Sequence, residues 1–98
     1  MASKYPPEQA PGQQQTLLEF PCKFPVKAMG RDQNDFEALV TEIVLEHAVL
    51  YAGEKVTINA SSSGKFISVT VTIEALSKDQ LDRIYQDLTA CEHVLMAL

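Results

Sequence analysis

The chain is short of cysteine, of basic residues and of long apolar runs, and each shortage argues against a class of protein. Its two cysteines, Cys22 and Cys91, do not make a disulfide scaffold; a secreted domain this small that relies on bridges carries about four or more. Eight basic residues stand against thirteen acidic ones, for a net charge of −5. DNA, non-specific nucleic-acid binding and acidic membranes all call for a basic footprint, so the charge argues against all three. The longest apolar region, Ala38 to Ala52, is broken by Glu42 and Glu46, whereas a membrane-spanning helix needs about 20 apolar residues. The first residues are polar and proline-rich, unlike a secretory leader, and the expected compartment is the cytoplasm. What remains is an ordinary globular composition, 46% hydrophobic and 21% charged, in 98 residues. That length holds one domain.

Met1 to Thr16 contains three prolines, one glycine and four glutamines. Almost nothing there is apolar enough to offset the entropy of ordering, so residues 1–16 are expected to be a disordered tail. A single domain is expected over residues 17–98, with Leu17 to Phe20 as its first apolar anchor.

From Cys22 to Met29 the pattern alternates. Cys22, Phe24, Val26 and Ala28 share one face, and Lys23, Pro25 and Lys27 share the other. Period two reads as a half-buried strand, with Pro21 and Pro25 at its ragged start and Gly30 at its end. Asp32 or Asn34 is then expected to cap a helix from Asp35 to about His47, on the helical spacing of Phe36, Leu39, Val40, Ile43, Val44 and His47. Val56 to Ala60 alternates again, and Ser61-Ser62-Ser63-Gly64-Lys65 forms a hairpin loop in which Gly64 takes positive φ. The strongest strand signal runs from Phe66 to Ala75, where Ile67, Val69, Val71, Ile73 and Ala75 form the inner face. Ser77 and Gln80 make a capping box for a second helix ending near Ala90, striped by Leu81, Ile84, Tyr85 and Leu88. His93 to Leu98 is a last strand.

The order β-α-β-β-α-β, with right-handed crossovers, predicts a ferredoxin-like α+β sandwich. It has a four-stranded antiparallel sheet with the first and third strands central. Two helices cover the face bearing Val26, Val71 and Ile58, and the other face is open.

Several stretches of this sequence resemble a known family. Leu18-Glu19-Phe20-Pro21, Lys27-Ala28-Met29-Gly30, Ser61 through Val71, Gln80 through Tyr85 and the closing Val94-Leu95-Met96-Ala97-Leu98 are similar to the small bacterial YbeD-like proteins. The hairpin motif is the specific element, and the resemblance spans roughly Leu17 to Leu98. It implies a ferredoxin-like domain akin to the amino-acid-binding ACT regulatory domains. It also implies a lipoate-related regulatory role, without an established biochemical activity. The family tends to carry Tyr where Phe66 stands, so a hydroxyl is missing there. It tends to carry proline where Val49 stands, so the loop after the first helix is expected to differ.

The chemistry-bearing motifs lead mostly to exclusions. Gly64-Lys65 ends like a phosphate-binding loop, but Asn59 replaces its first glycine, Phe66 replaces its magnesium-binding hydroxyl, and a strand follows. A looser anion cradle of serine hydroxyls, free amides and Lys65 stands beside an ordinary hairpin loop as a reading. Covalent lipoylation of Lys65 is disfavoured, because carrier domains are all-β and place the lysine after an aspartate. Cys91 and His93 lack further ligands for a metal, since Cys22 falls at the far end of the sheet. No base or oxyanion hole accompanies either cysteine. His47 reads as a boundary residue that meets the helix's terminal carbonyls. No catalytic residue, metal or cofactor is expected, and the chain is not read as an enzyme.

The expected function is a regulatory or interaction module, with an ACT-like small-molecule sensor as the first rival. An RNA-binding module is the second, weakened because Phe66 is the one outward aromatic on the central strands. The expected binding surface comprises Lys23, Lys27, Ser61, Ser62, Gly64, Lys65, Phe66, Ser68 and Thr70. These residues lie on the open face and its rim, with local positive charge suited to a small anionic ligand or a partner protein. A monomer or weak homodimer is expected.

Overall fold

The computed structural model describes residues 18–98, so the tail expected over residues 1–16 lies outside the described residues, as does Leu17. The elements are β1 (Cys22–Arg31), α1 (Phe36–Leu45), β2 (Thr57–Ala60), β3 (Phe66–Ala75), α2 (Lys78–Ala90) and β4 (Val94–Ala97). The sheet order is β2-β3-β1-β4 and every pairing is antiparallel. This is the ferredoxin-like arrangement that the alternation and connections predict.

Alternation decides the layers. Val26 and Ala28 of β1, and Ile67, Val69, Val71, Ile73 and Ala75 of β3, are buried on one face. Phe36, Val40 and Val44 of α1 and Leu81, Ile84 and Leu88 of α2 pack against them in a single core. Ser77 caps α2 as expected, its Oγ accepting from the Gln80 amide at 3.1 Å. The Gln80 side chain accepts from the Leu76 amide and donates to the His47 carbonyl, tying the two helical connections together. Tyr85 fastens the last strand by donating to the Leu98 carbonyl at 2.7 Å, and burial pushes its phenol pKa up. Cys22 and Cys91 are both free thiols.

The structure corrects several expectations. β1 does not stop at Gly30 but runs through it to Arg31, because Gly30 supplies space rather than a turn. A Cβ there would lie 2.5 Å from both the Phe36 ring and the His93 carbonyl. Pro25 lies inside β1 rather than at a ragged start. It shares its parity with Lys27, whose N–H and C=O bond to Leu98. The pairing along β4 does not extend to Pro25, so its missing donor is not needed there. α1 is shorter than expected, and neither Asp32 nor Asn34 caps it. Its N-cap is Asp35, in a left-handed conformation with no side-chain cap bond. His47 lies beyond the helix end and meets a carboxylate instead of carbonyls, its Nε2 standing 2.6 Å from Asp87 Oδ2 on α2. Ile58 has the predicted face, opposite Val69, but is 42% exposed because α1 does not extend over the edge strand.

Candidate functional site

Register arranges the open face in rows. Lys23 lies opposite Glu74, Pro25 opposite Thr72, Lys27 opposite Thr70, Met29 opposite Ser68, and Arg31 opposite Phe66. β2 extends two of these rows with Thr57 beside Thr70 and Asn59 beside Ser68. β4 adds Met96 beside Met29. The predicted residues on strands therefore share one surface, and Ser61 to Lys65 rims its Phe66 end.

The two ends of this surface differ. At the Lys23 end the connection after α1 returns along β3, where Leu50 bridges Ile73 and the Tyr51 amide donates to the Thr72 carbonyl. The loop then folds over the face. Lys23 Nζ is 2.6 Å from a Glu54 carboxylate oxygen and 5.8 Å from the centre of the Tyr51 ring. The Glu54 hydrogen bond, then its charge, hold the Lys23 pKa above the ordinary lysine value. Thr72, which alternation puts on this face, is only 8% exposed. Lys23 is thus paired with a carboxylate rather than free, although its side chain remains 54% exposed.

At the Phe66 end the basic groups stay free. The Arg31 guanidinium lies 5.5 Å from the centre of the Phe66 ring, a cation–π distance. Among the described residues, Lys27, Arg31 and Lys65 pair with no carboxylate. Beside Phe66 is a shallow pocket of about 120 Å³, lined by Met29, Asn59, Ala60, Ser61, Ile67 and Ser68 as well. Arg31 also borders a hollow of about 160 Å³ shared with Gln33, Glu92, His93 and Leu95.

The hairpin itself is not an open amide cradle. Ser61 Oγ accepts from the Phe66 amide at 3.2 Å and Ser63 Oγ from the Lys65 amide at 3.3 Å. The Gly64 amide donates to the Ser61 carbonyl, with Gly64 at the predicted positive φ of 76°. These serines and amides hold the loop's shape, so an anion at this end would meet side chains, Arg31 and Lys65, rather than a backbone nest.

Arg31, Met29 and Met96 are surface members that the sequence reading missed. Reading Gly30 as a stop removed Arg31 from the strand, and an alternation count carried two residues further would have found it. The reading also missed one possible ligand cluster. Glu46, His47 and Asp87 bring their ligating atoms within 4.8 Å of one another. Cys91 and His93 form no such group among the described residues. The His47–Asp87 contact already has a structural use, linking the end of α1 to α2.

Residues 15–98 match the family described as "Protein of unknown function (DUF493)". The chain is 44% identical over 86 residues to a UPF0250 protein of Chromobacterium violaceum, covering 88% of this chain and 97% of the relative. It is 40% identical over 89 residues to UPF0250 protein PSPA7_1111 of Pseudomonas paraeruginosa, covering 90% and 96%. A relative from Paraburkholderia phymatum is 36% identical over 84 residues, covering 86% and 94%. The chain belongs to this family of small YbeD-like bacterial proteins of unknown function. The solution structure of protein HP0495 from H. pylori is similar in fold, with a TM-score of 0.64 at 15% identity over 98% of each chain. No helix among the described residues is long and apolar enough to cross a membrane.

Proposed function

We propose that this protein is a small, non-enzymatic regulatory module of the cytoplasm that binds an anionic group carried on an apolar body. The binding surface is the Phe66 end of the open sheet face. One observation carries the reading: Arg31 stacks on Phe66, with Lys65 next along the chain, and neither base is neutralised by a carboxylate among the described residues. The bases take the charge, while Phe66 and Met29 take the hydrocarbon. Lipoate, a carboxylate on an apolar chain, has this chemistry, and the YbeD-like resemblance supplies the link to lipoate-related regulation.

A second reading, an ACT-like sensor that shares its ligand between two copies, is favoured by β4 and the chain end. Leu95, Met96 and Leu98 are 57%, 51% and 62% exposed at that edge of the sheet. Such an edge suits a second chain.

Calorimetric titration with lipoate, and separately with a glutamate-rich peptide, tests both readings. At least one probe is expected to bind the native protein and the Glu37→Ala/Glu42→Ala variant alike. The Lys27→Ala/Phe66→Ala/Thr70→Ala variant should lose that binding while its circular dichroism spectrum is unchanged. Sedimentation in the presence of lipoate then separates the two, because only the sensor reading predicts dimerisation. Loss of binding in the helix variant, with the sheet variant unaffected, would overturn the assignment, as would failure of both probes to bind.

A further inference from the structure

The flank of the sheet beside β2 is bordered by carboxylates of α1 and its N-cap. β2 is the outermost strand there, and Thr57 to Ala60 are all exposed. The Ser61 amide donates to the Phe66 carbonyl, so by period two the bonded pairs with β3 continue at Asn59 and Thr57. The N–H and C=O groups of Ile58 and Ala60 therefore point outward, away from the sheet. Above this edge, between α1 and the start of β2, is a cleft of about 540 Å³ lined by Asp35, Glu37, Ala38, Thr41, Glu42 and Val56. None of its three carboxylates pairs with a base among the described residues. Thr41 Oγ1 is buried in that wall with no hydrogen-bond partner among the described residues. Ile58, facing the same side, is 42% exposed.

We propose that this flank binds an extended, lysine- or arginine-rich segment of a partner protein by adding it as a strand to β2. An open edge offers its unpaired backbone groups to an incoming strand, and alternation sorts that strand's side chains between the two faces. Every second residue then faces the helical side. A lysine or arginine there lays its aliphatic stem over Ile58 and Val56 and carries its charge to Glu37, Glu42 or Asp35. The intervening residues lie beside Thr57 and Asn59 on the open face, where small polar side chains fit. Charge complementarity selects the occupant, because an acidic segment would meet three unneutralised carboxylates. This surface meets the Phe66 end at Asn59 and Ala60, which also line the pocket there, but it stands on the β2 edge and the α1 carboxylates and not on the reading of the Phe66 end.

A capped heptapeptide of alternating lysine and threonine, titrated into the full isotopically labelled chain and followed by NMR, tests the proposal. The amides of Ile58, Ala60, Glu37 and Glu42 are expected to shift, and hydrogen exchange at Ile58 and Ala60 to slow. Glu37→Gln/Glu42→Gln, which keeps side-chain shape, should weaken binding at least about tenfold, as the loss of two charge contacts implies. N-methylation of alternate peptide residues, tried in both registers, should weaken at least one form about tenfold, because it removes the strand-pairing donors and leaves the charge. The proposal fails if millimolar peptide leaves these amides unmoved, or if the equivalent glutamate–threonine peptide binds equally well. It fails too if both N-methylated forms bind like the parent, which would mean charge attraction without strand addition.

Discussion

Lys23 and Arg31 lie on the same face of the same strand, eight residues apart, yet they end in opposite situations. Lys23 is paired with Glu54 beside the Tyr51 ring, with its side chain still exposed. Arg31 stacks on Phe66 at a surface where no carboxylate among the described residues answers it. Alternation put both on the open face, and the fold of a distant loop then decided which of them remains available. A charge on an exposed face is therefore a candidate for binding only after the loops that cross that face have been placed.

The largest expected effect strikes the base of the free end. Gly30→Ala would drive a Cβ to 2.5 Å from the Phe36 ring and from a backbone oxygen. Overpacking against backbone should cost about 3 kcal/mol, read by chemical denaturation. Next comes the face assignment itself. Val71 is fully buried, and Val71→Ala should cost about 2 kcal/mol through lost burial and a residual cavity. Thr70→Ala, on the open face, should cost less than about 0.5 kcal/mol. Equal costs would mean that the two faces do not differ as described.

The mildest change sharpens the contrast between the ends. Glu54→Gln should leave the midpoint of unfolding nearly unchanged, since exposed ion pairs contribute little. It should nevertheless speed hydrogen exchange at Tyr51, whose amide donates to the Thr72 carbonyl. Because Glu54 raises the Lys23 pKa above 10.5, the pair's contribution is complete below that value. It is lost as pH rises through the raised value. The difference between native protein and Glu54→Gln should therefore vanish at the most alkaline pH. A difference that grew with pH would contradict the pairing.

The elements easiest to read were those that pack along their whole length. β3 is ten residues long, and its β-branched alternation names its buried face outright. Ser77 and Gln80 announce the start of α2 because their bonds are local. Tertiary context decided the rest. Gly30 reads as a stop in isolation, and only the Phe36 ring across the core reveals that a side chain is excluded. His47 and Asp87 are 40 positions apart, a pairing no periodicity encodes. Of the predicted surface, the alternating residues from Lys27 to Thr70 were legible as one face. The pairing of Lys23 with Glu54, and the use of the serine hydroxyls inside the hairpin, depended on a loop and a turn without a repeating pattern.

Whether Arg31 rather than Lys23 is the available base is read most directly by a residue-resolved NMR titration with lipoate, comparing Arg31→Ala with Lys23→Ala. Shifts are expected to centre on Arg31, Lys65, Phe66 and Ser68 in the native protein. Affinity should fall at least about tenfold in Arg31→Ala, as expected for loss of a direct charge contact, and remain native in Lys23→Ala. Equal losses in both variants, or shifts centred on Lys23, Tyr51 and Glu54, would contradict the choice of Arg31 over Lys23.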